Sequence, residues 1–298
     1  MNMFSSSFLM TMLLQTVAWP ILAVLAGIAI GQFGLRRHLS QQYLPIVSAL
    51  AISAGVFTAY TLVYGQFAFP PLQALDWLPL MMLVALIAFA IDDAIGFAPW
   101  LRLGIQGMSA LLASGLLLWP ILKQATLSSA ALTLAVVAVL WFGLWAYLDR
   151  RAYQDATSGV TLLIVAAGAA AVSAMTGSVL LGQLGGALAA ALGGWLLWNW
   201  PLPRWLLGHA GTAVTALTLG CLLLVGHFYS ETPMSISLLL LVAFAANVPT
   251  ELMKRYRPGL GAPAAAVLTS LIALVPIALA VGFTLLFHMP QTSGYGRY

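Results

Sequence analysis

A chain of 298 residues that is 62% hydrophobic and only 6% charged has no stretch polar enough to build a soluble domain. Its mean hydropathy of +1.01 comes from a succession of apolar runs of about 20 residues, the length that crosses a bilayer, which makes it a polytopic membrane protein. The formal charge of +4 rests on so few side chains that it gives no reason to expect nucleic acid as a partner, and the placement of each charge carries the information instead.

The apolar runs predict an all-α fold of about ten transmembrane helices, near 8–31, 43–65, 74–91, 100–122, 127–148, 157–176, 178–199, 205–228, 233–250 and 264–288. The join between the sixth and seventh is marked by little more than Gly177. No Lys or Arg precedes Arg36 and the first run continues to Gly31, which suits an uncleaved anchor rather than a cleavable signal. The polar interruptions are short, and no repeat or linker divides the chain, so a single integral domain over 1–298 is expected, with any chemistry at helix ends and loops. Cys221 lies inside an apolar run and reads as a packed thiol. Small residues at every fourth position of the seventh span, Gly182, Gly186, Ala190 and Gly194, predict a ridge against which another helix packs closely.

With the N-terminus outside, Arg36, Arg37, Arg102, Arg150, Arg151, Arg204, Lys254, Arg255 and Arg257 all fall on the cytoplasmic side, and only Lys123 and Arg297 fall opposite. That asymmetry sets the expected orientation. The same map places Asp92, Asp93, Asp149, Asp155 and Glu251 on the cytoplasmic face with His209, and Asp76 and Glu231 on the other. Arginines there serve topology, but acidic residues contribute little to orientation and need another reason to be present. Adjacent carboxylates at the end of an apolar helix repel one another and resist desolvation, so they are tolerated where water, an arginine or a cation holds them. The tryptophans of the turn after the seventh span, Trp195, Trp198, Trp200 and Trp205, read as an aromatic belt.

Three stretches together resemble the polyprenyl-phosphate N-acetylhexosamine-1-phosphate transferases. This is the family of phospho-N-acetylmuramoyl-pentapeptide transferase and undecaprenyl-phosphate N-acetylglucosamine-1-phosphate transferase, glycosyltransferase family 4. Asp92-Asp93 followed by Gly96, Pro99, Arg102 and Gln106 is similar to the family signature. The run Trp198-Asn199-Trp200-Pro201-Leu202-Pro203-Arg204, with Leu207-Gly208-His209-Ala210-Gly211-Thr212, is similar to its Asn-rich turn and Gly-Asp-x-Gly-Ser element. Phe33-Gly34-Leu35-Arg36-Arg37-His38 with Pro45 resembles its first cytoplasmic loop. The resemblance implies transfer of a sugar-1-phosphate, such as an N-acetylhexosamine phosphate, from a UDP-sugar to undecaprenyl phosphate in the bacterial inner (cytoplasmic) membrane. That step starts a cell-envelope polysaccharide, and it uses magnesium, or manganese, to bring two anionic phosphates together.

On this resemblance Asp92, Asp93 and Asp149 are the candidate catalytic residues, and Asp93, Asp149 and His209 the candidate metal ligands. Arg102, Arg150, Arg151, Asn199 and Arg204 would contact substrate, with arginines clamping phosphate. The pattern also departs from the family. Around Asp149 both Asn, both Gly and the second Asp of the Asp-rich motif are replaced, and Asp155 lies three residues beyond the missing position. His209 stands where the family has a metal-associated Asp, although imidazole suits zinc or copper better than magnesium. The loop from Glu251 to Pro263 has no His. Two functions stay open: the transferase itself, or a catalytically silent member acting as a lipid-binding or partner subunit of envelope polysaccharide assembly. The sequence leaves the oligomeric state open, a homodimer included.

Overall fold

The computed structural model describes residues 6–35, 43–65, 67, 69–153, 157–200, 204–230, 232–256 and 261–287. Among these, ten helices are long and apolar enough to cross a membrane. They are α1 (Met10–Phe33), α2 (Leu44–Val63), α3 (Ala74–Ile95), α4 (Pro99–Leu122), α5 (Leu127–Asp149), α6 (Thr157–Met175), α7 (Val179–Asn199), α8 (Gly208–Tyr229), α9 (Met234–Met253) and α10 (Pro263–Phe287). No strand occurs among the described residues. This is the make-up of a multi-pass membrane protein. Arg36, Arg37, His38, Asp155, Pro201, Leu202, Pro203, Glu231, Arg257 and Arg297, to which the sequence assigns places, lie outside the described residues.

Local chemistry sets the helix ends that matter. The start of α3 is fixed by Asp76, whose carboxylate accepts the backbone N–H groups of Leu72 and Gln73 at 2.9 and 2.8 Å and the Tyr64 hydroxyl at 2.8 Å. Those bonds satisfy donors that a helix start leaves unpaired. Gly96 stops α3 in the left-handed region (φ 72°), its N–H returning to the Asp92 carbonyl at 2.7 Å. A Cβ there would meet nothing within 4 Å, so the requirement for glycine is conformational, as at many helix C-termini. Pro99 then occupies the first turn of α4, where its missing N–H costs nothing.

The helices pack around α8. The most apolar stretch of α8 is 72% buried, that of α6 is 67% and that of α7 is 61%, whereas α5 and α1 reach only 11% and 17%. The helices at the rim therefore turn most of their side chains to lipid. The small-residue ridge on α7 packs as expected but serves two neighbours. A Cβ at Gly182 would press on Ala174 of α6 at 2.9 Å, while Cβ atoms at Gly186 and Gly194 would meet Thr16 and Ile21 of α1 at 2.8 and 3.3 Å. Trp195 and Trp205 are buried at 1% and 3% exposure, so the belt expected after α7 reduces to the half-exposed Trp198 and Trp200.

Candidate functional site: a carboxylate cluster at the charged end of the bundle

The C-terminal ends of α3, α5 and α9 and the N-terminal ends of α2, α4 and α8 meet at one end of the bundle. Contacts made by Asp92, Asp93, Asp149, Arg151 and Pro45 hold them together. Asp92 and Asp93 are neighbours in sequence, yet they point to different partners. Asp92, 1% exposed, receives the Phe97 N–H at 2.7 Å and a two-pronged contact from Arg102, whose Nε and Nη2 lie 2.5 and 3.1 Å from its two oxygens. It thereby clamps the turn between α3 and α4 with a charge-assisted fork.

Asp93 reaches across to the start of α8. Its Oδ1 accepts the His209 N–H and its Oδ2 the Ala210 N–H, both at 3.0 Å, and the Tyr153 hydroxyl donates to Oδ1 at 2.7 Å. A carboxylate at a helix N-terminus meets both the unpaired N–H groups and the positive end of the helix dipole. The approach is close because residue 208 is glycine. Gly208 has φ 68°, and a Cβ on it would collide with Pro45 and come within 2.8 Å of Asp93 Oδ2.

Asp149, at the last position of α5 and 6% exposed, is hydrogen-bonded to His209 Nδ1 at 2.7 Å. The Tyr153 ring meets the His209 imidazole edge-on with centroids 4.9 Å apart. Burial, and then its hydrogen bond to Asp93, raise the Tyr153 phenol above its ordinary pKa, so Tyr153 stays a neutral donor. Beyond this, Arg151 binds Glu251 of α9 at 2.6 Å and lies over the Tyr147 ring at 4.8 Å.

The candidates of the sequence thus divide. Asp92, Asp93, Asp149, His209 and Arg102 come together, and Tyr153, to which sequence reasoning assigned no role, joins Asp93 to His209. Asn199, expected at substrate, is 1% exposed and committed to the chain: its Oδ1 accepts the N–H groups of Arg204 and Trp205 at 3.0 and 2.7 Å, and its Nδ2 donates to the Trp195 carbonyl at 2.9 Å. Arg204 is exposed beside Trp198, and Arg150 is exposed next to the Asp149 turn.

The expected metal ligands do not form a cage. Among the described residues no group of three or more His, Cys, Asp and Glu side chains is arranged to hold a metal ion. Both oxygens of Asp93 face N–H donors, and His209 Nδ1 is taken by Asp149. Magnesium asks for several hard oxygen ligands in octahedral array, and these side chains as placed do not fit it.

An apolar groove lies between α5, α8 and α9. Its volume is about 410 Å³, and its lining includes Leu132, Leu140, Leu144 and Leu148 of α5, Leu223 of α8 and Leu241 of α9. From Leu132 to Leu148 the wall is roughly 24 Å long at 1.5 Å per residue. Leu148, the lining residue at that end of α5, precedes Asp149 in the chain, and no charged side chain of the cluster lines the groove.

No protein-family model matches the chain, and no curated protein matches it significantly. These comparisons neither support nor oppose the likeness to the sugar-phosphate transferases.

Proposed function

We propose that the chain is a divergent protein of the polyprenyl-phosphate sugar-1-phosphate transferase type that binds a polyprenyl phosphate without transferring sugar phosphate to it. It would act as a lipid-binding or partner subunit of envelope polysaccharide assembly, in a bacterial inner membrane with its charged end cytoplasmic. The observation that carries this reading is that each acid of the cluster already has a partner inside the protein: Arg102 for Asp92, the α8 N-terminus with Tyr153 for Asp93, His209 for Asp149. Substitution of His209 for a metal-associated Asp points the same way. The groove supports the lipid part, since a long, almost wholly apolar wall along α5 suits a greasy chain.

The test is binding of undecaprenyl phosphate to the purified full-length protein, read as thermal stabilisation and by native mass spectrometry. A ligand at a hundred times its Kd stabilises by about 2.7 kcal/mol, a readily measured rise in Tm. Leu223→Trp, which fills the groove from α8, should remove most of that rise and leave the unliganded Tm nearly unchanged. No stabilisation, or stabilisation indifferent to this variant, contradicts the reading.

The transferase reading itself is second. It is favoured by the convergence of Asp92, Asp93 and Asp149, and it requires release of UMP from a UDP-N-acetylhexosamine.

A further inference from the structure

One helical turn deeper into the bundle than the carboxylates lies a set of polar side chains with nothing to bond. Ser48, Gln106, Trp145 and Thr212 are each 0% exposed. The Ser48 and Thr212 hydroxyls, both amide atoms of Gln106 and the Trp145 Nε1 have no hydrogen-bond partner among the described residues. Some hydroxyls on the same helices dispose of their protons locally, Ser114 to the Ala110 carbonyl at 2.7 Å and Thr215 to that of Gly211 at 2.8 Å, while Ser53, Tyr60 and Thr218 share the unpartnered state at other levels of the bundle. Ser48 and Thr212 do not follow that habit, and Gln106 cannot. Buried polar atoms carry a desolvation cost unless something meets them, and native proteins meet nearly all of theirs.

The helix contacts bring three of the four to one level. Gln106 is one turn beyond Arg102, Trp145 one turn before Asp149, and Thr212 one turn beyond Gly208, and those three neighbours all belong to the cluster. The Phe89 ring, one turn before Asp93, lies 5.2 Å from the Trp145 ring. A Cβ at Gly107 would meet the Phe142 ring at 3.7 Å, which aligns the Gln106 turn of α4 with the Trp145 turn of α5. A turn farther in, Trp141 donates to the Ala216 carbonyl at 3.2 Å, so Trp145 faces the Thr212 turn of α8. Ser48 flanks the same level from α2, one turn beyond Pro45.

The chemistry of the set selects its ligand. The indole offers only a donor, which disfavours a cation. An anion would sit directly beneath Asp92, Asp93 and Asp149. A molecule that both donates and accepts matches an amide, two hydroxyls and an indole N–H, and it must be small enough for a fully enclosed place. We propose that Gln106, Trp145 and Thr212 hold ordered water, an internal hydrated layer beneath the carboxylate cluster. This layer is independent of whether the groove takes a polyprenyl phosphate.

The experiment is radiolytic hydroxyl-radical labelling of the full-length protein in nanodiscs, in which radicals born from bound water mark the residues beside it. Phe89, 0% exposed and packed on Trp145, is the reporter. It should label in the wild type, and Gln106→Leu should lower its rate several-fold in protein whose Tm shows it folded. Thr212→Val serves as the second variant where Gln106→Leu does not fold. No labelling of Phe89 in the wild type, or a Phe89 rate untouched by the folded variant, overturns the proposal.

Discussion

At the scale of single residues, Asp93 and Gly208 form one device. The carboxylate can cap α8 only because no Cβ stands between it and the His209 and Ala210 N–H groups, and the chain can turn there only because glycine accepts φ 68°. Gly208→Ala therefore meets both the conformational penalty and the clash with Pro45 and Asp93. A loss of about 2 kcal/mol or more is expected for a non-glycine residue held in that region against its neighbours, measured as a lower Tm in detergent or nanodiscs. The phenols give a pH signature. Tyr64, beside Asp76, is pushed up to about 12 by burial and then by its hydrogen bond to that carboxylate, and Tyr153 is raised for the same two reasons. Both are neutral in the folded protein well beyond the pH at which a free phenol ionises. Their contribution to stability is complete below about pH 10, the unfolded value, and is lost as pH climbs above it through the folded values. Thermal stability followed against pH should show no step from these groups between pH 7 and 9 and a fall above 10; Tyr153→Phe should weaken that alkaline fall.

At the scale of elements, α5 is the helix least held by the core and the one that forms the groove wall. Trp141 fixes it, with its indole N–H on the Ala216 carbonyl and its ring lying where a side chain at Gly220 would be. Gly220→Ala should push α5 outward at a cost of about 1–3 kcal/mol, the usual penalty of overpacking, and faster hydrogen exchange along α5 than along α6 would report it. The helices were legible in the sequence because hydropathy alone finds a span, and the join at Gly177 is where the structure turns. The end of α3 was less legible. The apolar run stops before Asp92, but the helix continues to Ile95 because Gly96 supplies its cap and Arg102 satisfies Asp92 within it. Trp195 and Trp205 look like surface anchors by composition, but the structure buries them, Trp195 against Gly159 and Trp205 against Gly31.

At the scale of the whole molecule, the sequence says which charges share an end and cannot say how each is satisfied. Asp93 bonds to residues more than a hundred positions away, and Asp149 to a histidine sixty positions on, so no local pattern distinguishes a capping carboxylate from a metal ligand. Tyr153 went unassigned for the same reason. Once the partners are seen, the cluster is a closed network tying α3, α5 and α8, with Arg151 and Glu251 extending it to α9. A network of that kind rigidifies the end of a bundle. The most direct measurement is UMP release from UDP-N-acetylhexosamines by folded, full-length protein given undecaprenyl phosphate and either Mg²⁺ or Mn²⁺. The account predicts none above a no-protein control, even where undecaprenyl phosphate binds; UMP produced in step with lipid-linked sugar, and lost in Asp149→Asn, would contradict it.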